Sequence, residues 1–419
     1  MINRTIQPPI QKIEEVSFVS PINHPISENV SLFHMNKVSN ETTRFDLYFD
    51  AGKIRTSGGI AGFVNGLILS GTKDKTSIEI NEAINGLGGF YDSGVSAENA
   101  VISMYALKEN MIPLFDILMD AISNVIFDEK EVDEFINDSR QRQKINSEKV
   151  SYLAQKNFQK ILFENEKAYA TTLEVEDYDK LEKEDLVSFH ANHYLNGLRK
   201  VVVVGDIDQP SIAHIIDKCR PIISKKEHSF SDKIQNKAEE LRVPKKDAIQ
   251  SAIRIGRTLF NKNHPDYLDF LILNTILGDY FGSRLMSNIR EDKGYTYGIG
   301  SMLSELEKTG YFMIATEVGH EVKDLTIKEI KFEINRLQTE LVKDDELALV
   351  QNYMLGQLLK SADGPYAMMD LFLSVEMYDK ELEFYNLAIA AIQNITAKRI
   401  QDLAKQYLNW NEMSVVIAG

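Results

Sequence analysis

Two stretches of this sequence, YLNGLRKVVVVGD at Tyr194 to Asp206 and YLNWNEMSVVIAG at Tyr407 to Gly419, decide the fold. In both, Tyr-Leu-Asn precedes a short polar spacer and a β-branched run closing on glycine, the composition of a buried strand ending in a turn. The two tyrosines stand about half the chain apart, so the sequence reads as a duplication of one unit. Earlier elements keep a similar offset in the same order. The alternating run Phe45, Leu47, Phe49 has a counterpart in Ile253 and Ile255, and Leu67-Ile68-Leu69 has one in Leu271-Ile272-Leu273. One such match carries nothing, because short apolar runs recur by chance; three in one order define a weak repeat.

Each unit follows a similar plan. The first has a strand at Phe45 to Asp50, an apolar segment at Ile60 to Leu69, a polar helix near Ser77 to Leu87 and a strand at Val101 to Leu107. A helix then carries Pro113 in its first turn and one buried stripe, Met111, Leu114, Phe115, Leu118 and Ile122. The second unit keeps that order with Leu268 to Leu277, the strand Tyr311 to Thr316 and the helix Val322 to Leu337. The break Ala362-Asp363-Gly364-Pro365 separates two further helices. Strands mixed with runs of helices predict an α+β fold rather than a doubly wound parallel sheet. The expected architecture is two tandem homologous domains, 1–223 and 247–419, each an antiparallel or mixed sheet with helices packed on one face. The charged span 224–246, with Lys-Lys-Glu-His-Ser and Val-Pro-Lys-Lys, reads as an exposed linker.

The chain has 419 residues, 43% hydrophobic and 26% charged, enough for two domains with their own cores. Its 62 acidic and 47 basic side chains leave a net charge of -15, which disfavours a nucleic-acid partner, and no basic patch offsets it. The densest apolar stretch, Ile60 to Leu69, is broken by Gly62, Asn65 and Gly66 and falls short of the roughly 20 residues of a membrane helix. The N-terminus MINRTIQPPIQKIEEV lacks the basic start and apolar block of a secretory signal, and the single Cys219 cannot form an internal disulfide. A soluble cytoplasmic protein without a membrane partner is expected, in which the sequons at Asn29, Asn40 and Asn394 are chance matches.

The common chemical motifs fail. There is no GxxxxGK[ST] and no GxGxxG, and Val201 to Val204 with Gly205-Asp206 reads as a buried strand ending in a turn. Cys219 ends an amphipathic helix and reads as structural. His190 and His193, three apart on a predicted helix, could reach one ion, but the segment offers no third ligand, and the structural reading is preferred.

The segment Gly59-Ile60-Ala61-Gly62-Phe63-Val64-Asn65-Gly66, continued to Ser70-Gly71-Thr72, resembles the zinc-site helix of the insulinase-like peptidases, the M16 or pitrilysin family. That family reads G-x-A-H-x-x-E-H-x-x-x-x-G-T, with two zinc-binding histidines and a glutamate base. The frame survives here as Gly59, Ala61, Gly71 and Thr72, while the chemical positions are Gly62, Asn65 and Gly66. Glycine has nothing to donate to zinc, and an amide cannot serve as a base near neutral pH. The resemblance places the family's third ligand, a glutamate, near Gln141. All four roles are vacant, so no cofactor is expected in this chain. Helical glycines cost about 1 kcal/mol each against alanine but permit close approach, so a packing surface is expected in place of the metal.

The second half supports the same family. Gly282-Ser283-Arg284-Leu285 and then Ile289-Arg290-Glu291-Asp292-Lys293-Gly294-Tyr295-Thr296-Tyr297 are similar to its S-R-L and L-R-E-x-x-G-L-x-Y. The resemblance implies that Arg290 and Tyr297 are substrate-binding residues that hold the peptide backbone and scissile carbonyl, a role suited to their donors. Spacing alone also allows Arg290 to pair with Glu291 or Asp292 and Tyr297 to pack in a strand. Phe189 to Tyr194 resembles the family's F-x-x-x-x-Y helix. Because four such domains enclose the family's chamber, a two-domain chain implies a dimer. The partner is a homologous subunit carrying H-x-x-E-H and the zinc, or a copy of this chain, and the substrate an extended peptide. The alternative is a structural or peptide-binding protein with no catalytic partner.

Overall fold

The computed structural model describes residues 13, 16–36, 41–56, 59–163, 167–170, 173–224 and 238–419. The first sheet holds β1 (Ile22–Pro25), β2 (Ser31–Met35), β3 (Thr42–Phe49), β4 (Phe90–Val95), β5 (Ala100–Leu107) and β6 (Leu198–Val204), in the order β1-β2-β6-β3-β5-β4. The second holds β7 (Glu240–Val243), β8 (Gln250–Leu259), β9 (Thr296–Glu305), β10 (Gly310–Gly319) and β11 (Ser414–Ala418), in the order β7-β11-β8-β10-β9. With β1 set aside, the two orders coincide strand for strand. Each sheet has one parallel pair, β2 with β6 and β7 with β11, and is otherwise antiparallel. The fold is α+β, built from two homologous mixed sheets.

Register follows the apolar alternation. Leu47 faces Ile102 and Val201, and Ile255 faces Ile314 and Val415, so each set points into its own core. Each half covers the inner face of its sheet with its own helices. The first half uses Ile60–Gly66, Ser77–Gly86, Met111–Asn124, Lys183–His193 and Gln209–Cys219. The second uses Tyr267–Leu277, Lys323–Thr339, Asp344–Ser361, Glu383–Asn394 and Ala397–Tyr407. The stripe Met111, Leu114, Phe115, Leu118 and Ile122 is buried, and Thr76 with Glu79 forms a capping box at the helix Ser77–Gly86. The repeat is looser at one place: Leu67 to Leu69 lie in a turn just past a helix end, whereas Leu271 to Leu273 lie mid-helix.

The outer faces are covered by exchange. The helix Val150–Leu162 of the first half lays Ala154 and Phe158 on the second sheet, against Ala252, Met313, Val416 and Ala418. In return, Gly364–Glu376 of the second half sets Met369 against Phe33, Met35, Val202 and Val204 of the first. Burial on both faces explains the unbroken valines of β6, since a strand with no solvated face has no reason to alternate. Fully burying side chains such as Phe158 and Met369 is worth about 2 to 3 kcal/mol each.

Part of the span read as linker belongs to the sheet. Residues 225–237 lie outside the described residues, but Glu240–Val243 is the edge strand β7, whose Leu241 and Val243 pack against the exchanged-helix cluster. Four residues ending at Pro244 gave too short an alternation to stand out. Among the described residues, no helix is long and apolar enough to cross a membrane.

Candidate functional site

Gly59, at φ 74°, turns the chain into the helix Ile60–Gly66, whose Ala61, Phe63 and Val64 enter the core. Asn65 is buried and accepts the Tyr194 hydroxyl at 2.9 Å. A Cβ on Gly66 would lie 2.4 Å from the Phe135 ring, so that ring, from the helix Glu129–Ser147, occupies the space a longer side chain would need. At Gly62 a Cβ would meet nothing within 4 Å. The expected packing surface thus forms at Gly66 alone, against a ring and not a backbone. Gly62 opens instead on a cleft of about 550 Å³ lined by Phe135, Ser139, Gln143, Tyr152, Tyr169 and Tyr178.

Gln141 is exposed and turned away from this cleft, whereas Gln143 is buried and lines it. Two residues rotate a helix by about 200°, so of the two glutamines it is Gln143 that shares a cleft with Gly62. Its Nε2 donates to Tyr152 Oη at 2.6 Å and to the Leu173 carbonyl at 2.7 Å. The spacing Phe135, Ser139, Gln143, every fourth residue, was the available signal for this face. These residues do not fit zinc: two positions have no side chain, and the other two are amides already engaged with neighbours. Among the described residues, no three of His, Cys, Asp and Glu converge as a metal site. His190 Nε2 lies 2.7 Å from the Ile122 carbonyl and His193 Nδ1 2.6 Å from that of Asp50, so the two rings address different backbone groups. Burial pushes the Cys219 thiol up to about 12, which leaves it unreactive.

In the second half, Arg284 holds Glu346 through Nε at 2.7 Å and Nη2 at 2.8 Å, anchoring the segment before the wide helical turn Met286–Asp292. Arg290 projects from that turn with its guanidinium 4.5 Å from the centre of the exposed Phe281 ring, and it pairs with neither Glu291 nor Asp292. Gly294, at φ 66°, then leads into β9. Across from β10, Ile299 faces Thr316 and Thr296 faces Val318, which leaves one extra residue on β9 around Tyr297 and Gly298. Two hydroxyls hold this bulge. Thr296 Oγ1 accepts the Gly298 N–H at 3.1 Å and donates to the Glu317 carbonyl at 2.7 Å, and Thr316 Oγ1 lies 3.0 Å from Thr296 Oγ1. Bulges re-aim side chains, and Tyr297 is 94% exposed. No hydrogen bond joins Arg290 to Tyr297. Each presents its donors outward from its own support.

The model of the insulinase family, peptidase family M16, matches residues 34–176, and that of the peptidase M16 inactive domain matches residues 180–354. The chain belongs to the M16 peptidase family, as an inactive-metalloprotease-like member. It is 26% identical over 319 residues to an uncharacterized zinc protease of Rickettsia felis, covering 73% of this chain and 74% of that one. A probable inactive metalloprotease of Bacillus subtilis is 23% identical over 235 residues, 54% of this chain and 53% of that one. A probable mitochondrial-processing peptidase subunit beta of Arabidopsis thaliana is 20% identical over 414 residues, 92% of this chain and 75% of that one. Among solved structures, a peptidase M16 inactive domain from Pseudomonas fluorescens superimposes with a TM-score of 0.86 at 21% identity, covering 96% of this chain and 98% of that one.

Proposed function

We propose that this chain is the non-catalytic, peptide-binding subunit of a two-chain M16-type zinc peptidase, cytoplasmic and without zinc of its own. The observation that carries the reading is Tyr297, held almost fully exposed on a stapled bulge while the zinc positions of the same chain are glycine and amide. A large phenol held out of every core is open to a group from outside the chain. A homologous partner bearing H-x-x-E-H would hold the zinc, which supplies carbonyl polarisation and an activated water. The relative named as a subunit beta supports a two-chain arrangement.

This chain's own residues would do the rest. β9 is an edge strand, and away from Ser301, whose backbone is held by Gly278 and Asn274, it can add an extended peptide as another strand, while Arg290 and Tyr297 would donate to the carbonyl oxygen as charge develops on it. The test is to purify the chain with a homologous H-x-x-E-H chain and assay peptide hydrolysis. Arg290→Ala or Tyr297→Phe should lower turnover about 100-fold, the effect of removing one such donor, and leave assembly intact. Unchanged turnover would favour the scaffold alternative, and chelatable stoichiometric zinc with activity in the isolated chain would overturn the reading.

A further inference from the structure

We propose that Arg254 and Tyr297 form a carboxylate-binding site on the outer face of the second sheet. For its natural ligand, an acidic group on the extended peptide, it rests on the reading above; its geometry does not depend on that reading.

Arg254 sits on β8, the middle strand of its sheet. Its neighbours Ile253 and Ile255 point into the core, so alternation sends Arg254 to the outer face, where it is only 9% exposed. Every hydrogen-bond partner it has is neutral. Nε donates to Gln155 Oε1 at 3.2 Å, and Nη1 to the carbonyls of Ile253 at 3.0 Å and Thr316 at 3.4 Å. Nη2 makes no hydrogen bond to the described residues. The first sheet carries a buried outer-face arginine too, Arg44 on β3, and that one is neutralised by Asp46 at 3.1 Å and Asp370 at 2.7 Å. The buried arginine of the second sheet thus lacks the acids that neutralise the first.

A guanidinium does not shed its proton to escape burial, so this charge persists. Burial opposes it and pulls its pKa down, offset in part by Glu317. Glu317 is exposed at the rim and forms no ion pair with Arg254. Between them lies a cleft of about 420 Å³, lined also by Gln250, Thr296, Tyr297 and Thr316. The free Nη2 hydrogens and the Tyr297 hydroxyl are donors on one cleft. A carboxylate, which only accepts, complements both and supplies the missing charge; an amide would not. Glu317 would compete for the same guanidinium.

The experiment uses the purified full chain and a fluorescent ten-residue peptide in three forms: a C-terminal acid, the C-terminal amide, and the amide with one internal Glu. Anisotropy should show one of the carboxylate forms binding about tenfold tighter than the plain amide, the scale of one charged hydrogen bond, and which form gains identifies the carboxylate as terminal or side-chain. R254Q should erase that preference, and E317Q should enlarge it. Equal binding of all three forms, or a preference that survives R254Q, overturns the site while leaving peptide binding standing. Acetyl-glycinate, followed through the Arg254 side-chain NMR signals, separates the two readings. If no peptide binds but acetyl-glycinate shifts those signals, the carboxylate site stands and the peptide reading falls; if neither binds, both fall.

Discussion

Arg44 of β3 and Asp370 of the helix Gly364–Glu376 are 326 positions apart in the chain and share a 2.7 Å hydrogen bond. Around it, the Arg44 guanidinium lies over the Tyr366 ring, the Tyr366 hydroxyl meets Thr42 Oγ1 at 3.1 Å, and Lys200 pairs with Glu376. The second half is therefore fastened to the first sheet by polar contacts as well as by Met369. Gln155 on Arg254 is the reciprocal fastening on the second sheet. Exchange of this kind makes the two halves mutually dependent, since each sheet keeps one face apolar until the other half arrives.

Arg44→Ala should destabilise the chain by about 3 kcal/mol, because it leaves Asp46 buried without its counter-charge. Asp370→Asn should cost about 1 kcal/mol or less, since the Asp370 side chain is 61% exposed and Asp46 remains on Arg44. Urea denaturation measures both, and mutual dependence predicts a single transition. Two separated transitions in the wild type would show that the halves stand alone.

Restoring the family's residues should not by itself restore a metal site. Gly62→His, Asn65→Glu and Gln143→Glu enter a cleft or replace like-shaped amides, but Gly66→His places its Cβ into the Phe135 ring. The four-residue variant should retain no zinc after dialysis, and adding Phe135→Ala should bring retention to about one ion per chain by metal analysis. Equal retention by both variants would remove Phe135 from the account.

The duplication, the α+β class and the vacated frame at Gly59 to Thr72 were legible because they are local patterns: runs, spacings and caps. Where glycines 62 and 66 lead was not, because the ring that backfills Gly66 comes from Phe135 and the cleft at Gly62 is closed by Tyr152, Tyr169 and Tyr178. Those contacts depend on how separate helices pack. The exchanged helices were hidden for the same reason, since an amphipathic stripe states that it is buried but not against which sheet. Arg254 stands as a charge inside an apolar alternation, and its burial follows from Val150–Leu162 lying over β8. That Gln143 and not Gln141 lines the Gly62 cleft was not legible either, because a rough alignment carries no helical phase.

The bulge predicts a positioning effect separable from Tyr297 itself. Thr316 is buried, and Thr316→Val keeps its shape while removing the hydroxyl that meets Thr296 and Gly298. The loss should cost about 1 kcal/mol of stability. In the assembled peptidase it should lower kcat by about tenfold or more, with little change in KM, because Tyr297 is still present but held loosely. A variant with wild-type kcat would show that the bulge is a local accident of β9.

Glu98 gives a pH dependence with a definite sign. It lies 4% exposed in the turn between β4 and β5, where Oε1 accepts the Tyr169 hydroxyl at 2.7 Å and the backbone N–H of Glu307, in the turn between β9 and β10, at 2.7 Å. Burial raises its pKa above the ordinary 4.5, and those hydrogen bonds offset only part of the rise. A carboxyl whose folded pKa is raised contributes stability that is fully present below its unfolded pKa and is lost as pH climbs through the folded one. Above that folded pKa the wild type therefore carries an ionised buried group where the halves meet. Glu98→Gln keeps an oxygen that can accept both hydrogen bonds but carries no charge. Its stability relative to wild type should be highest above the folded pKa and should fall as pH is lowered through it, when the wild-type carboxyl regains its proton. Urea midpoints of both proteins at several values between about pH 4 and pH 7 measure this, and a difference that does not change with pH would show that Glu98 titrates as an ordinary surface glutamate.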